Sequence, residues 1–64
     1  METINAVAQN VARVREERGM SQAELRRRTG INVWRIENGH YGPRLETLEK
    51  IARELGVEVY ELLK

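Results

Sequence analysis

The sequence predicts an all-α fold, a small bundle of five short helices in a single domain spanning residues 1–64. Three observations predict it. Apolar residues recur at spacings of three and four along most of the chain. No stretch alternates apolar with polar residues at period two, so no sheet is expected. Glycines stand where the periodic segments stop, and a helix end favours a residue free to adopt positive φ. A chain of 64 residues leaves no room for a second domain. Its core is modest and supplies a net stability of about 3–5 kcal/mol.

Each element follows from its own residues. Ile4, Val7, Val11 and Val14 form one helical stripe, with Ala8 and Ala12 beside it. Arg13, Glu16 and Glu17 fall off that stripe. Thr3 can cap the start and Gly19 ends the helix, so helix 1 runs from about Ile4 to Arg18. "SQAE" then begins helix 2 as a capping box: Ser21 accepts from the amide of Glu24, and the Glu24 side chain reaches back. Leu25 points inward and Gly30 stops the helix. Only Met20 separates Gly19 from the cap, so helices 1 and 2 must turn sharply.

Val33 and Ile36, closed by Asn38-Gly39, mark helix 3 at two turns or so. "GHYGP" is a loop punctuated by Gly42-Pro43. Leu45, Leu48, Ile51, Ala52 and Leu55 mark helix 4, which Gly56 ends. Val59, Leu62 and Leu63 mark a short helix 5. The expected core is Val7, Val11, Val14, Leu25, Ile36, Leu48, Ile51, Leu55 and Leu62.

The net charge of +1 is uninformative, but its distribution is not. Between Arg26 and Arg44, five arginines (26, 27, 28, 35 and 44) face one acid, Glu37, a local excess of +4. From Leu45 to Lys64, three bases meet five acids, a net −2. A basic middle suits a polyanion, though it also suits a plain solvated face. The absence of cysteine excludes disulfides and thiolate metal sites, and permits a reducing cytosol. The N-terminal segment has charge on one helical face and no long apolar run. It reads as neither a signal peptide nor a membrane span. One histidine, one serine and no aspartate leave no nucleophile, base and orienter to assemble, so no enzyme is expected. No cofactor or metal is expected either; His40 has no second ligand at a suitable spacing.

Two short helices around a glycine, in a basic surround, read as a helix-turn-helix. "MSQAELRRRTGI" followed by "RIENGHYGPRLETLEKIARELGVEVYELL" resembles the Cro/repressor-type, XRE-like family of DNA-binding domains. The resemblance runs from about Val11 to Leu63. It implies a lambda-repressor-like fold and a sequence-specific DNA-binding transcriptional regulator, a repressor. Such a protein would act in the cytoplasm as a homodimer on a palindromic site, with helix 3 in the major groove. It also implies residue roles. Gln22, at the start of helix 2, matches a phosphate-binding glutamine. His40, Tyr41 and the backbone near Gly39 match a phosphate-touching loop. Arg15 and Glu37 match a structural pair.

Two departures from the family pattern meet at one corner. About three residues are missing between the turn glycine and "RIENG", roughly one helical turn or 4.5 Å of rise. The missing turn lies where base-reading residues normally sit. Asn32, Trp34 and Arg35 remain as outward candidates. In addition, Arg26 stands where the family has a small residue, because helices 2 and 3 approach closely there.

Each candidate has a sharp and a plain reading. Arg35 can read guanine, hold a phosphate or pair with an acid. Asn32 can bond adenine, but its position favours capping helix 3. Trp34 can insert at a groove or cover the shortened corner. Arg26, Arg27 and Arg28 spread around one helix and cannot all face one partner. Arg26, Arg27 and Arg44 are nonetheless the basic residues expected nearest the DNA backbone. Val59, Tyr60 and Leu63 can form a dimer interface or simply close the core. The alternative function is a protein-interaction or antitoxin-like module of the same fold with weakened base readout.

Overall fold

The computed structural model describes the backbone from residue 2 and the side chains of residues 5–64. The side chains of Thr3 and Ile4, the expected cap and the first member of the helix 1 stripe, lie outside the described residues. Five α-helices follow in order: α1 Glu2–Glu17, α2 Gln22–Thr29, α3 Val33–Glu37, α4 Leu45–Leu55 and α5 Tyr60–Leu63. No strand occurs among the described residues, and the all-α expectation holds.

The boundaries differ from the sequence reading in two places. α1 starts at Glu2, ahead of the expected Ile4, so Thr3 lies inside the helix backbone. α3 has five residues, shorter than the expected two turns. Its length, about 7.5 Å, is that of one and a half turns.

One apolar cluster holds the bundle together. Val7, Val11, Val14, Leu25, Ile36, Leu48, Ile51, Leu55 and Leu62 are all buried in it, together with Val33 and Ala52. α1 packs on α5 and α3, while α2 packs on α4 and α3. Met20, Ile31, Val57 and Val59 close its margins. Leu45, the first residue of α4, lies ahead of the buried stripe and is 57% exposed. Asn10 ties the chain end to α1: its amide donates to the carbonyls of Leu62 at 3.2 Å and Lys64 at 2.8 Å.

The turns follow the glycines. Gly30 adopts φ +73° and its amide donates to Arg26 O, which closes α2. A non-glycine residue there would sit in a strained left-handed conformation. Ser21 Oγ accepts from the amide of Glu24 at 3.0 Å, the first half of the expected capping box. The second half is not formed among the described residues. The Glu24 carboxylate instead accepts from Arg28 Nε at 2.6 Å and from Arg27 Nη2. Two cations in its own helix outcompete a single backbone amide for a carboxylate.

Candidate functional site

The α2–turn–α3 unit is fixed from inside. Leu25, Val33 and Ile36 are fully or almost fully buried. Thr29, at the end of α2, is also buried; its hydroxyl donates to Leu25 O at 2.8 Å and accepts from the Ile31 amide at 3.2 Å. This pins the three-residue turn to the helix before it. Sequence reasoning missed Thr29. Its signal was a hydroxyl residue directly before the turn glycine, able to serve both sides of the turn.

A buried ion pair fixes the far end of α3. Arg15 Nε donates to Glu37 Oε2 at 2.6 Å and Arg15 Nη2 donates to Oε1 at 3.0 Å. The third nitrogen, Nη1, donates to Met20 O at 2.8 Å. The two side chains are only 11% and 6% exposed. The hydrogen bond to Glu37 holds the Arg15 guanidinium above its ordinary pKa. Gln22 joins the same group: its amide donates to Glu37 Oε1 at 2.7 Å. One carboxylate therefore links α1, the start of α2 and the end of α3. Among the described residues no buried side-chain nitrogen or oxygen lacks a partner.

Asn32 stands at the N-cap of α3 and its side chain accepts from the Arg35 amide at 3.2 Å. The following face of α3 is open. Trp34 is 50% exposed, and Arg35 is exposed with no ion pair among the described residues. The loop after the helix folds back along this face. The Asn38 side chain donates to Trp34 O at 2.8 Å, and the His40 amide donates to Arg35 O at 3.0 Å. The His40 ring meets Trp34 edge-on, with centroids 5.0 Å apart at 81°. The Tyr41 ring lies 5.4 Å from Arg35 Cζ.

The remaining positions separate. Arg26 is exposed, so the close α2–α3 contact is made without it, by Leu25, Val33 and Ile36. Arg27 is bonded to Glu24. Arg28 bonds Glu24 and lies 3.9 Å from Glu54. Arg44 is exposed at the N-cap of α4 with no capping side-chain bond. At the other end of the fold, Tyr60 and Leu63 are 63% and 47% exposed, while Val59 packs against the core. The C-terminal trio is thus divided between surface and core.

The profile of a helix-turn-helix family matches residues 11–62, most of this chain. The chain belongs to the XRE-like helix-turn-helix family. An uncharacterized HTH-type transcriptional regulator of Sinorhizobium fredii, y4dJ, is 35% identical over 66 residues, covering 98% of this chain and 86% of the relative. The crystal structure of a hypothetical transcription factor, NHTF, from Neisseria superposes with a TM-score of 0.90. It is 34% identical, and the match covers 97% of this chain and 75% of that one. In helix-turn-helix terms, α2 is the first helix of the motif and α3 the second. In this chain α3 has only five residues and is flanked by a loop whose two rings lie against it.

Proposed function

We propose that this chain is a DNA-binding transcriptional regulator that sets α3 in the major groove and acts as a repressor. The observation that carries the reading is Arg35. It is exposed on the second helix of the motif, on a backbone held by the Asn32 cap and the buried Glu37, and no acid among the described residues neutralises it. A guanidinium so displayed fits the O6/N7 edge of guanine or a phosphate.

The shortened helix shapes the mechanism. Base readout requires side chains at the groove floor, and five residues present few of them. Asn32, Trp34 and Arg35 would supply a reduced set. Gln22, Arg26, Arg27, His40, Tyr41 and Arg44 would hold the backbone, which positions the protein without reading sequence; the amides of Asn38, Gly39 and His40 are already given to the carbonyls of Trp34, Ile36 and Arg35. Gln22 has one amide hydrogen beyond the one given to Glu37, so it can serve both. A homodimer through Tyr60 and Leu63 would place two copies of α3 on half-sites about 34 Å apart, matching a palindrome. Such a regulator works in the cytoplasm.

A second reading is favoured by the same short helix: a protein-interaction module of the same fold. Binding to random-sequence duplex DNA at rising salt separates the two. The regulator's affinity falls steeply, with each phosphate contact adding about 0.9 to the log–log slope. No binding even at low salt would favour the protein-interaction module.

A further inference from the structure

We propose that Tyr41 is a positioning residue for base reading: its ring holds the Arg35 guanidinium in place against a guanine, and with His40 it stands in for the turn that α3 lacks. This rests on the reading of α3 as the DNA-facing helix.

An arginine on a one-and-a-half-turn helix has few neighbours to order it. In a longer helix, residues three and four positions away cover the side chain. α3 ends at Glu37, so no such neighbour follows Arg35 on its own helix. The loop supplies one. The His40 amide bonds Arg35 O at 3.0 Å, which anchors the loop to the last turn. From that anchor the next residue lays its ring 5.4 Å from Arg35 Cζ. That distance lies within the range of a cation–π contact. His40 does the same for the neighbouring Trp34, edge to face at 5.0 Å. Two consecutive loop rings thus attend the two consecutive exposed side chains of α3.

The pairing leaves the chemistry of recognition intact. A π-face is an attraction that consumes no hydrogen-bond acceptor. The Arg35 guanidinium makes no side-chain hydrogen bond among the described residues, so its donors remain available. A bidentate contact with guanine O6 and N7 needs two of those donors in a fixed plane. Ordering the cation before binding lowers the entropy lost on binding. The Tyr41 ring performs this task, and the hydroxyl remains free for phosphate.

The test begins with a duplex library randomised at its centre, from which the wild-type protein selects a preferred duplex. Affinities for that duplex and for random-sequence duplex are then measured with wild type, Tyr41→Phe, Tyr41→Leu and Arg35→Ala. Tyr41 is an exposed loop residue, and a melting curve for each variant verifies the fold. Tyr41→Phe keeps the ring and retains the preference ratio. Tyr41→Leu lowers the ratio roughly two- to five-fold, the size of an exposed cation–π contact. The loss falls at the same guanine position that Arg35→Ala relaxes, and Tyr41→Leu adds nothing to Arg35→Ala. A ratio unchanged in Tyr41→Leu but lowered in Arg35→Ala overturns the role of Tyr41 and leaves the DNA reading standing. Equal loss on both duplexes in Tyr41→Phe and Tyr41→Leu assigns Tyr41 to phosphate alone and overturns it as well. No duplex binding by wild type at low salt removes both.

Discussion

Arg15 grips Glu37 through two nitrogens, at 2.6 and 3.0 Å, and the carboxylate also receives the amide of Gln22. Helix 1 is thereby joined to both helices of the motif at one buried point. Glu37→Gln removes the buried negative charge and leaves Arg15 with only the exposed Glu16 carboxylate, 3.7 Å away, as a counter-ion. Loss of one member of a buried pair costs about 3–5 kcal/mol. That is as large as the whole stability expected of a chain this size, about 3–5 kcal/mol. Urea denaturation of Glu37→Gln should therefore find little folded protein, whereas unchanged stability would mean that the pair contributes nothing.

Glu24 should titrate abnormally. The side-chain bond from Arg28, and then that from Arg27, hold its carboxyl below the ordinary glutamate range. A carboxyl depressed in the folded state stabilises the fold above its unfolded pKa, and that contribution is lost as pH falls through the folded value. The carboxyl signal of Glu24 followed by NMR should move at lower pH than that of a glutamate in an unstructured peptide. Arg28→Ala should shift it upward, and an unshifted signal would show that the clamp is not formed.

Asn32 caps α3, and its proposed base contact can be separated from that role. Asn32→Ala removes the N-cap side-chain bond of α3 and should cost about 0.5–2 kcal/mol in thermal or urea unfolding. Asn32→Asp keeps the capping oxygen but loses the amide donor an adenine contact needs. If Asn32 only caps, Asp restores both stability and DNA preference. If it also reads a base, Asp restores stability alone.

How far the sequence foretold this arrangement depended on which force decided each residue. The buried stripe from Val7 to Val14 and from Leu48 to Leu55 was legible because periodic burial leaves a periodic signature. Gly30 was legible because only glycine takes its φ of +73° without strain. The start of α1 at Glu2 was not, since the cap at Thr3 and the first apolar residue put it at Ile4. Nor was the choice of Glu24 for Arg27 and Arg28 over its own cap, because two competing hydrogen bonds are separated by less than pattern reading resolves. The short α3 was visible only as missing residues. The rings that attend it come from a loop with no periodicity, so no pattern announced them.

Dimerisation through α5 should rest on Tyr60 and Leu63, which are 63% and 47% exposed, rather than on Val59, which packs on the core. The paired change Tyr60→Ser and Leu63→Ser should yield a folded monomer in sedimentation experiments. Val59→Ser should instead lower the melting temperature. A wild-type protein that sediments as a monomer at every concentration, with and without duplex DNA, contradicts the dimer.

On the proposed reading, the DNA backbone dominates binding while a reduced set of α3 side chains reads bases. The preference of wild type for its selected duplex over random duplex tests it most directly, measured again in Arg35→Ala and Gln22→Ala. The predicted ratio sits near the low end for specific binders, about a thousand-fold. Arg35→Ala should erode that ratio by the worth of one bidentate contact, about 1–3 kcal/mol. Gln22→Ala should weaken both duplexes alike, as a phosphate contact does. A ratio near the upper end of the range, about ten-million-fold, that survives Arg35→Ala would contradict the claim and place the reading surface away from α3.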